Sequence, residues 1–523
     1  MSERTETYQL PFEKGGFNAN PNTDLISPIS FVSESKNINM QNGGREKRGG
    51  TYREYVLPSS SSEVRGVHDF QLESGTQFKV TATSDGKIYK NATTTIKASG
   101  WSTTTKTWFM TLRDTLYATD GVHVPQMWDG AAGTTSDMVL IPADWTGTNF
   151  PAMMFTHSNG ASFRSIAVGV PNFLDTAYIS ATNDGTDYSD ANGVRVIIPT
   201  NNAFGLVTGA EFGKRAILFG KRKAYILNDL DPVVANWGYE AAQWEGGVAS
   251  PWLLVKTPND LIAMMEDGEI YSVLAVQEYG DYQAASISRP SFIHTWIKQN
   301  VDLANISLFH AVYDPIIRAI KFFVKLNGHS YVDTALVYYV DRTPTEAWSI
   351  HDNQYVVSGY RSVSSCVVRI AAGDEQVYTG GYAGDVWSLE KTTKSDIGSA
   401  ANGYFFVSRT PHLNFEQARH MKLFIGGRLT VVVRGDFQLL VRWIVDGVEQ
   451  TPVLVSPSSI GGFYGSALYG FSIYGSEEIL DVLFELGQIG KRIQLHFENG
   501  IPAEDFFLSA GYIDFKWIGK MPQ

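Results

Sequence analysis

The chain has 523 residues, a formal net charge of −12 and 18% charged residues, and it is rich in glycine (49), phenylalanine (29), tyrosine (25) and tryptophan (12). This length exceeds one compact core, and the composition is typical of a turn-rich β protein rather than a helical or disordered one. The acidic balance argues against a basic DNA-binding module, and the single cysteine, Cys366, excludes an intrachain disulfide framework.

The chain also lacks the patterns of membrane insertion and secretion. No stretch reaches the roughly 18 apolar residues that a membrane helix needs, and the N-terminal segment has no apolar signal-peptide core. We therefore expect no membrane segment and synthesis as a soluble protein in a cytoplasm.

Residues 1–63 are polar and rich in Asn, Gly and Ser, which predicts an extended N-terminal arm. Within it, NINMQNGGREKRGG joins a short strand at 37–40 to a tight turn and then to a Gly-flanked basic cluster, Arg45, Lys47 and Arg48. Such a cluster can bind an acidic partner or a phosphate, and the alternative is a solvated hairpin tip. We predict a partner-binding site there.

Residues 64–395 contain a loose repeat. Its units are SDGKIYK, PQMWDG, LDTAYIS, KRKAYILN, EDGEIYSV, TALVYYVD and GGYAGDVWSLE. The steps between their aromatic residues are 39, 50, 47, 46, 67 and 49 residues, measured through Tyr89, Trp128, Tyr178, Tyr225, Tyr271, Tyr338 and Trp387. A four-stranded propeller blade repeats at about 40 to 50 residues. The spacing predicts an all-β fold with a β-propeller of about six or seven irregular blades.

The long step of 67 residues contains segment 277–305, in which the alternation of apolar and polar residues fails. We predict an insertion there, a short helix or loop that projects from one propeller face.

After KTTKSDIGSAANG the repeat stops, and four alternating strand segments follow without a helical period. Residues 396–523 are therefore predicted to form a C-terminal β-sandwich-like domain.

Enzyme motifs fail on spacing. The ten histidines are scattered and form no HxH or HExxH, and no GxSxG elbow or phosphate-binding loop occurs. We predict no enzyme activity, no catalytic residue, no cofactor and no metal site. The segment SATNDGTDYSD offers Asp184, Asp187 and Asp190 as calcium ligands, but their spacing favours a plain hydrogen-bonded turn. NDLDP reads as an Asx turn.

Several segments resemble the tail nozzle proteins of short-tailed bacteriophages (podoviruses), also called tail tubular B or head-stabilisation proteins. The resemblance begins with the Asn-rich strand, the Gly-Gly turn, KRGG and DGKIYK. It continues through FPAMMFTHSNGASFRSIAVGVPNFLDTAYIS, GVASPWLLVKTPNDLIAMMEDGEIYSV, TEAWSIHDN and VYTGGYAGDVWSLE. It covers residues 37 to about 390, and the matching segments contain no catalytic motif.

The resemblance implies a structural virion protein, assembled in the host cytoplasm. It implies a ring, generally a homohexamer, below the portal and adaptor rings, whose channel retains the packaged genome and conducts DNA during ejection. The expected partners are further copies of the chain, the adaptor or portal ring, and tail fibre, spike or needle proteins, with only non-specific passage of double-stranded DNA. We expect residues 1–50 to lie as a strap on a neighbouring subunit or on the ring above.

Acidic loop residues are the candidates for a gate in such a channel, because an acidic wall repels DNA phosphates. We select two acidic groups as channel-facing candidates that close the ring at rest: Glu266, Asp267 and Glu269, or Asp184 and Asp187.

Two other functions compete with this one: a tail-associated carbohydrate-active propeller, such as a depolymerase or glycosidase, and a receptor-binding module. A hydrolase needs two convergent carboxylates in a cleft, whereas a conduit needs an acidic axial channel.

Overall fold

A computed structural model gives the fold of the chain. It describes residues 5–520 except 33, 132, 161, 201–204, 232, 277–280, 353–358, 371–372, 397–402, 416–418, 435–436 and 457–477. Seven four-stranded antiparallel sheets follow one another along the chain, and two larger sheets lie beside them.

The N-terminal segment contributes four strands to these sheets. They are β1 (Glu6–Pro11), β2 (Ile38–Asn39), β3 (Arg45–Lys47) and β4 (Gly50–Val56).

The first four sheets, which we term blades 1 to 4, are each a meander of consecutive strands. Blade 1 holds β5 to β8 (Val64–Gln71, Gln77–Thr83, Lys87–Lys90, Thr94–Lys97), and blade 2 holds β9 to β12 (Trp108–Leu112, Thr115–Thr119, Gln126–Trp128, Ser136–Asp137). Blade 3 holds β13 to β16 (Met153–Ser158, Phe163–Val168, Thr176–Ile179, Val194–Ile197), and blade 4 holds β17 to β20 (Leu206–Phe212, Arg215–Gly220, Lys223–Asn228, Gly238–Glu245).

Blades 5 to 7 complete the series. Blade 5 holds β21 to β24 (Leu254–Lys256, Leu261–Met264, Ile270–Val276, Asp281–Ser286), and blade 6 holds β25 to β28 (His310–Asp314, Ala319–Val324, Thr334–Tyr339, Trp348–Asp352). Blade 7 holds β29 to β31 (Ser364–Arg369, Glu375–Gly380, Asp385–Lys391) and takes β4 as its fourth strand.

The first strands of successive blades contact one another around a common axis, and those of blades 7 and 1 close the circle. There the Ser364 hydroxyl donates to the carbonyl of Val64 at 2.7 Å. The all-β propeller prediction is thereby confirmed, and the described blades number seven.

The repeat reflects a fixed position in each blade. All seven aromatic residues used to measure it lie on the third strand of their blade, and each is at most 9% exposed. A single small sheet cannot bury both of its apolar faces by itself, so each blade packs against its neighbours and these rings fill the spaces between them.

Blade 7 is closed by the N-terminal segment. Val56 pairs with Asp385 and Tyr52 with Ser388, more than 300 residues apart in the chain. Residues 50–56, which the sequence analysis assigned to the arm, thus belong to the propeller. The reason is geometric, since a strand from the N-terminal segment in the last blade ties the two ends of the propeller together.

The predicted insertion consists of the last strand of blade 5 followed by helix α1 (Ile293–Asn300) and the 3-10 turn Leu303–Leu308; residues 277–280 lie outside the described part. Ile293 and Ile297 are fully buried. The helix therefore packs against the propeller instead of projecting from it, and the Ile297 side chain fills the space beside Gly268.

The C-terminal region forms two facing sheets, and the arm completes one of them. The strands after blade 7 are β32 (Phe406–Arg409), β33 (His420–Val433), β34 (Leu439–Val445), β35 (Val448–Glu449), β36 (Val453–Val455), β37 (Glu478–Gly490), β38 (Ile493–Asn499) and β39 (Phe506–Lys520). One sheet has the order β2-β3-β39-β33-β37 with β1 also on β39, and the other has β32-β38-β34-β35 with β36 on β34.

Pairing of the arm with its own C-terminal domain corrects the expected strap on a neighbour. Glu6 pairs with Phe515 and Arg45 with Leu508 within one chain. Three further 3-10 turns complete the elements: Thr23–Leu25, Val234–Asn236 and Pro251–Leu253.

Candidate functional site

The two faces of the propeller can be distinguished by topology. Because each blade has four antiparallel strands, every first strand starts at the same face, which we term the upper face. Loops between second and third strands also lie there, whereas loops between third and fourth strands lie at the opposite, lower face.

This topology separates the predicted gate residues. Asp184 and Asp187 lie between β15 and β16, hence at the lower face, whereas Glu266, Asp267 and Glu269 lie between β22 and β23, at the upper face. The two candidate groups therefore lie on opposite faces of the propeller, and the predicted gate stays a prediction. Sequence spacing carries no information about which end of a sheet a loop occupies.

The lower acidic loop is a hydrogen-bonded turn. Asp187 is only 6% exposed, and its carboxylate accepts bonds from the Ser189 amide at 2.9 Å and the Asn192 side chain at 2.6 Å. Asp184 accepts from the amide and hydroxyl of Thr186. Burial opposes ionisation of Asp187, but these bonds hold its pKa below the ordinary value.

The upper acidic loop is neutralised by neighbouring cations. Lys221 lies 2.9 Å from Glu266, and Arg289 contacts both carboxylate oxygens of Glu269 at 2.7 and 2.5 Å. Asp267 contacts His294 at 3.1 Å.

One group in this loop has the donors of a metal site. Asp267, Glu269 and His294 bring ligand atoms within 4.8 Å of one another. Arg289 and Lys298, 3.4 Å from Asp267, already compensate the two carboxylates. The prediction that the chain has no metal site stays a prediction.

The basic cluster of the arm is buried, which corrects the predicted partner-binding site. Arg45 is 1% exposed, and Lys47 and Arg48 are fully buried. Arg48 donates to both oxygens of Asp396 at 3.0 and 2.8 Å, and neither side chain is exposed. Burial alone would lower the pKa of Arg48, but the Asp396 carboxylate raises it above its ordinary value.

The other two cations also have partners inside the chain. Arg45 donates to the Ser408 hydroxyl at 2.8 Å and lies 4.4 Å from the centre of the Phe12 ring. Lys47 donates to Asn499 at 3.0 Å, and burial lowers its pKa to about 7. Lys and Arg are rarely buried without such partners, and those partners lie far away in the sequence.

A second buried ionic group lies close to Arg48. Lys321 of blade 6 contacts Asp314 at 2.9 Å and Glu390 of blade 7 at 2.5 Å. The Tyr360 ring lies 4.3 Å from Arg48, and its hydroxyl donates to Glu390 at 2.9 Å. We term these residues, with Arg48 and Asp396, the ionic junction; it joins the arm, two blades and the start of the C-terminal region.

The axis of the propeller is crossed at its upper end. The rings of Trp108 in blade 2 and Trp252, just before blade 5, are 4.9 Å apart. Lys106, before blade 2, donates to the carbonyls of Leu308 and Phe309, before blade 6, at 2.7 and 3.1 Å. Burial lowers the pKa of Lys106 to about 7.

Below this crossing lies a small cavity of about 350 Å³. It is lined by first-strand residues of blades 2 to 5, among them Phe155, Thr208, Glu211 and Lys256. Among the described residues, contacts between distant blades therefore cross the axis of a single propeller at its upper end.

A cleft of about 520 Å³ opens on the upper face where blades 6, 7 and 1 meet. Its principal side chains are those of Glu63, Arg65, Tyr331, Arg361, Tyr382 and Asp385. Glu63 and Arg361 precede first strands, and Arg65 lies at the start of one. Tyr331 and Tyr382 lie between second and third strands, and Asp385 begins a third strand. None of them was predicted from the sequence, because they come from four separate segments of the chain and share no motif.

Within the cleft, aromatic and charged groups are held in fixed contacts. The guanidinium carbon of Arg361 lies 3.2 Å from the centre of the Tyr331 ring, and the Tyr331 and Tyr382 rings meet edge to face at 4.7 Å. Arg65 donates to one carboxylate oxygen of Glu63 at 2.9 and 2.7 Å.

Asp385 is 4% exposed, and burial raises its pKa.

No protein-family model matches the chain, and no curated protein matches its sequence. Solved structures with similar folds include BBS1N in complex with ARL6DN (14% identity, TM-score 0.40, covering 66% of this chain and 98% of that one). They also include YCF48 from Cyanidioschyzon merolae (9%, 0.37, 65% and 98%) and Sqt1 from Saccharomyces cerevisiae (8%, 0.39, 68% and 99%). Similarities of this size carry no argument about function, and the fold assignment rests on the seven sheets themselves.

Among the described residues, no helix has the length and apolar character required to cross a membrane.

Proposed function

We propose that this protein is a structural subunit of the tail nozzle of a short-tailed bacteriophage. In this proposal it assembles in the virion as a ring, a homohexamer as in the family that the sequence resembles, below the portal and adaptor. The ring retains the packaged genome and conducts DNA during ejection.

The observation that carries the proposal is the path of the arm. Its strands pair with blade 7 and with the C-terminal sheet, and Arg48 lies between them in the ionic junction. A subunit that bears load from a packaged genome needs domains that do not hinge, and strand pairing to both domains supplies that rigidity. The net charge of −12 is compatible with passage of DNA without adhesion.

The axis of the propeller is not the proposed path of the DNA. Lys106, Trp108 and Trp252 cross that axis, so the conduit is the space enclosed by several subunits. The ring interface is accordingly formed by loops and outer strands of the propeller or by the C-terminal sheets.

The enzymatic alternative has less support than the structural one. A glycosidase needs one carboxyl group that donates a proton and a second that acts as base or nucleophile. The cleft contains Glu63 and Asp385, but Glu63 is bound to Arg65. This arrangement suits binding better than hydrolysis.

The proposal is tested by negative-stain imaging and light scattering of the purified chain, alone and mixed with adaptor–portal particles of a short-tailed phage. A ring with a central opening, free or formed only on those particles, is the expected result. A stable monomer that does not bind the particles would overturn the proposal.

A further inference from the structure

We propose that the cleft formed by blades 6, 7 and 1 is a binding site for a neutral saccharide. This inference does not depend on ring formation, and it assigns to the upper face a function that the nozzle role does not require.

The first argument is the aromatic surface. Tyr331 is 39% exposed although its ring contacts Arg361 and Tyr382, so part of the ring remains accessible at the cleft. The contacts restrict the ring to one orientation, which reduces the entropy that a ligand must overcome on stacking. A sugar presents an apolar C–H face that packs on such a ring, while its hydroxyls point outwards.

The second argument is the set of hydrogen-bonding groups around that ring. Arg65 and Arg361 carry donors, and Glu63 and Asp385 carry acceptors. Sugar hydroxyls donate and accept at the same time, so a ligand rich in hydroxyls matches a site that mixes both kinds of group. The hydroxyls of Ser61, Ser84 and Thr103 also line the cleft.

The third argument is charge. Two arginines and two carboxylates give the cleft a formal charge of zero (+2 and −2). A phosphate or uronate ligand would gain from the arginines but be repelled by Glu63 and Asp385. The balance therefore favours a neutral ligand, and 520 Å³ is within the usual range of about 300 to 1,000 Å³ for ligand sites.

The test uses the full-length chain and isothermal titration calorimetry. The probes are neutral trisaccharides of glucose, galactose and mannose, with trigalacturonate as the charged comparison. We expect binding of at least one neutral trisaccharide at millimolar concentration and no preference for trigalacturonate.

Substitutions at Tyr331 distinguish the loss of ring stacking on the sugar from a loss of folding. Tyr331→Ala is expected to weaken binding about tenfold, and Tyr331→Phe, which keeps the ring, to change it by less than about twofold. Tyr52→Ala is the matched control, because Tyr52 is also exposed (49%) and belongs to blade 7 but lies outside the cleft. Thermal unfolding followed by circular dichroism verifies that each variant is folded.

Three results would overturn the inference: no binding of any neutral trisaccharide, tighter binding of trigalacturonate, or equal binding by folded Tyr331→Ala and the unaltered chain. A failure to form rings would leave this inference unaffected, and a lack of sugar binding would leave the nozzle proposal unaffected.

Discussion

The basic cluster of the arm and the acidic loop of blade 5 are both short charged segments, yet their environments are opposite. Arg48 and Asp396 have no exposed side-chain surface, whereas the side chains of Lys221 and Glu266 are 46% and 37% exposed. A buried ion pair that loses one partner leaves an uncompensated charge in the interior, whereas an exposed pair contributes little to the stability of the fold. The charge pattern of a segment therefore does not reveal whether it binds a partner or holds the fold.

The largest effect is expected from deletion of residues 1–56. The deletion removes the fourth strand of blade 7 and three strands of the C-terminal sheet, so we expect loss of cooperative folding. Soluble yield and thermal unfolding by circular dichroism measure it. Tyr52→Ala, on the surface of β4, serves as the control and should fold. A deleted chain that still unfolds cooperatively would show that the arm is an accessory and not a structural element.

Substitution Arg48→Ala tests the interior pair alone. It leaves the Asp396 carboxylate buried without its partner, so we expect the free energy of unfolding to fall by about 3 to 5 kcal/mol. Urea denaturation measures the change. The double variant Arg48→Met with Asp396→Leu removes both charges, so its free energy of unfolding should fall by less than that of Arg48→Ala. If Arg48→Ala lowers the free energy of unfolding by less than about 1 kcal/mol, the buried pair contributes no more to stability than an exposed pair, which would contradict the comparison of the two regions.

Asp260 is intermediate in burial between the buried Arg48–Asp396 pair and the exposed Lys221–Glu266 pair. It is half-buried, and its carboxylate accepts a hydrogen bond from the Ser272 hydroxyl at 2.5 Å. Burial raises its pKa from 3.8 to about 6. Between these values the folded chain holds a proton that the unfolded chain releases, so this contribution to stability is full below about pH 4 and is lost as the pH rises through 6.

Asp260→Asn removes that dependence while keeping an acceptor for Ser272. We expect the variant to match the unaltered chain near pH 4 and to exceed its stability by about 3 kcal/mol at pH 8, measured by urea denaturation at several pH values. A constant difference across this range would show that Asp260 ionises normally.

The smallest effect is expected at the exposed pair. Glu266→Gln should change the free energy of unfolding by no more than about 0.5 kcal/mol, because water and salt already screen Lys221 from Glu266. Glu390→Gln, in the ionic junction, is the matched control and should destabilise the chain strongly. Equal effects of the two substitutions would remove the distinction between the regions.

Sequence periodicity predicted much of the fold because the relevant contacts are local. Tyr89 and Trp128 recur at blade spacing since each blade buries an aromatic side chain of its third strand. The pairing of β4 with β31 had no such signal, because its partners lie more than 300 residues apart. The pairing of Arg48 with Asp396 was not predicted for the same reason.

The candidate cleft was not predictable for a related reason. Tyr331, Arg361 and Asp385 lie in different segments of the chain, and each is an ordinary loop or strand residue when taken alone. Only closure of the propeller brings them to one face.

The sequence by itself determined the all-β class, the repeat of the blades and the acidic net charge, because these depend on composition and on contacts between neighbouring strands. The tertiary structure alone decided that the arm closes blade 7, that Arg45, Lys47 and Arg48 are interior, and that the acidic loops lie on opposite faces. The physical reason is that burial and facing depend on which distant strands pair, and a one-dimensional pattern does not encode that pairing.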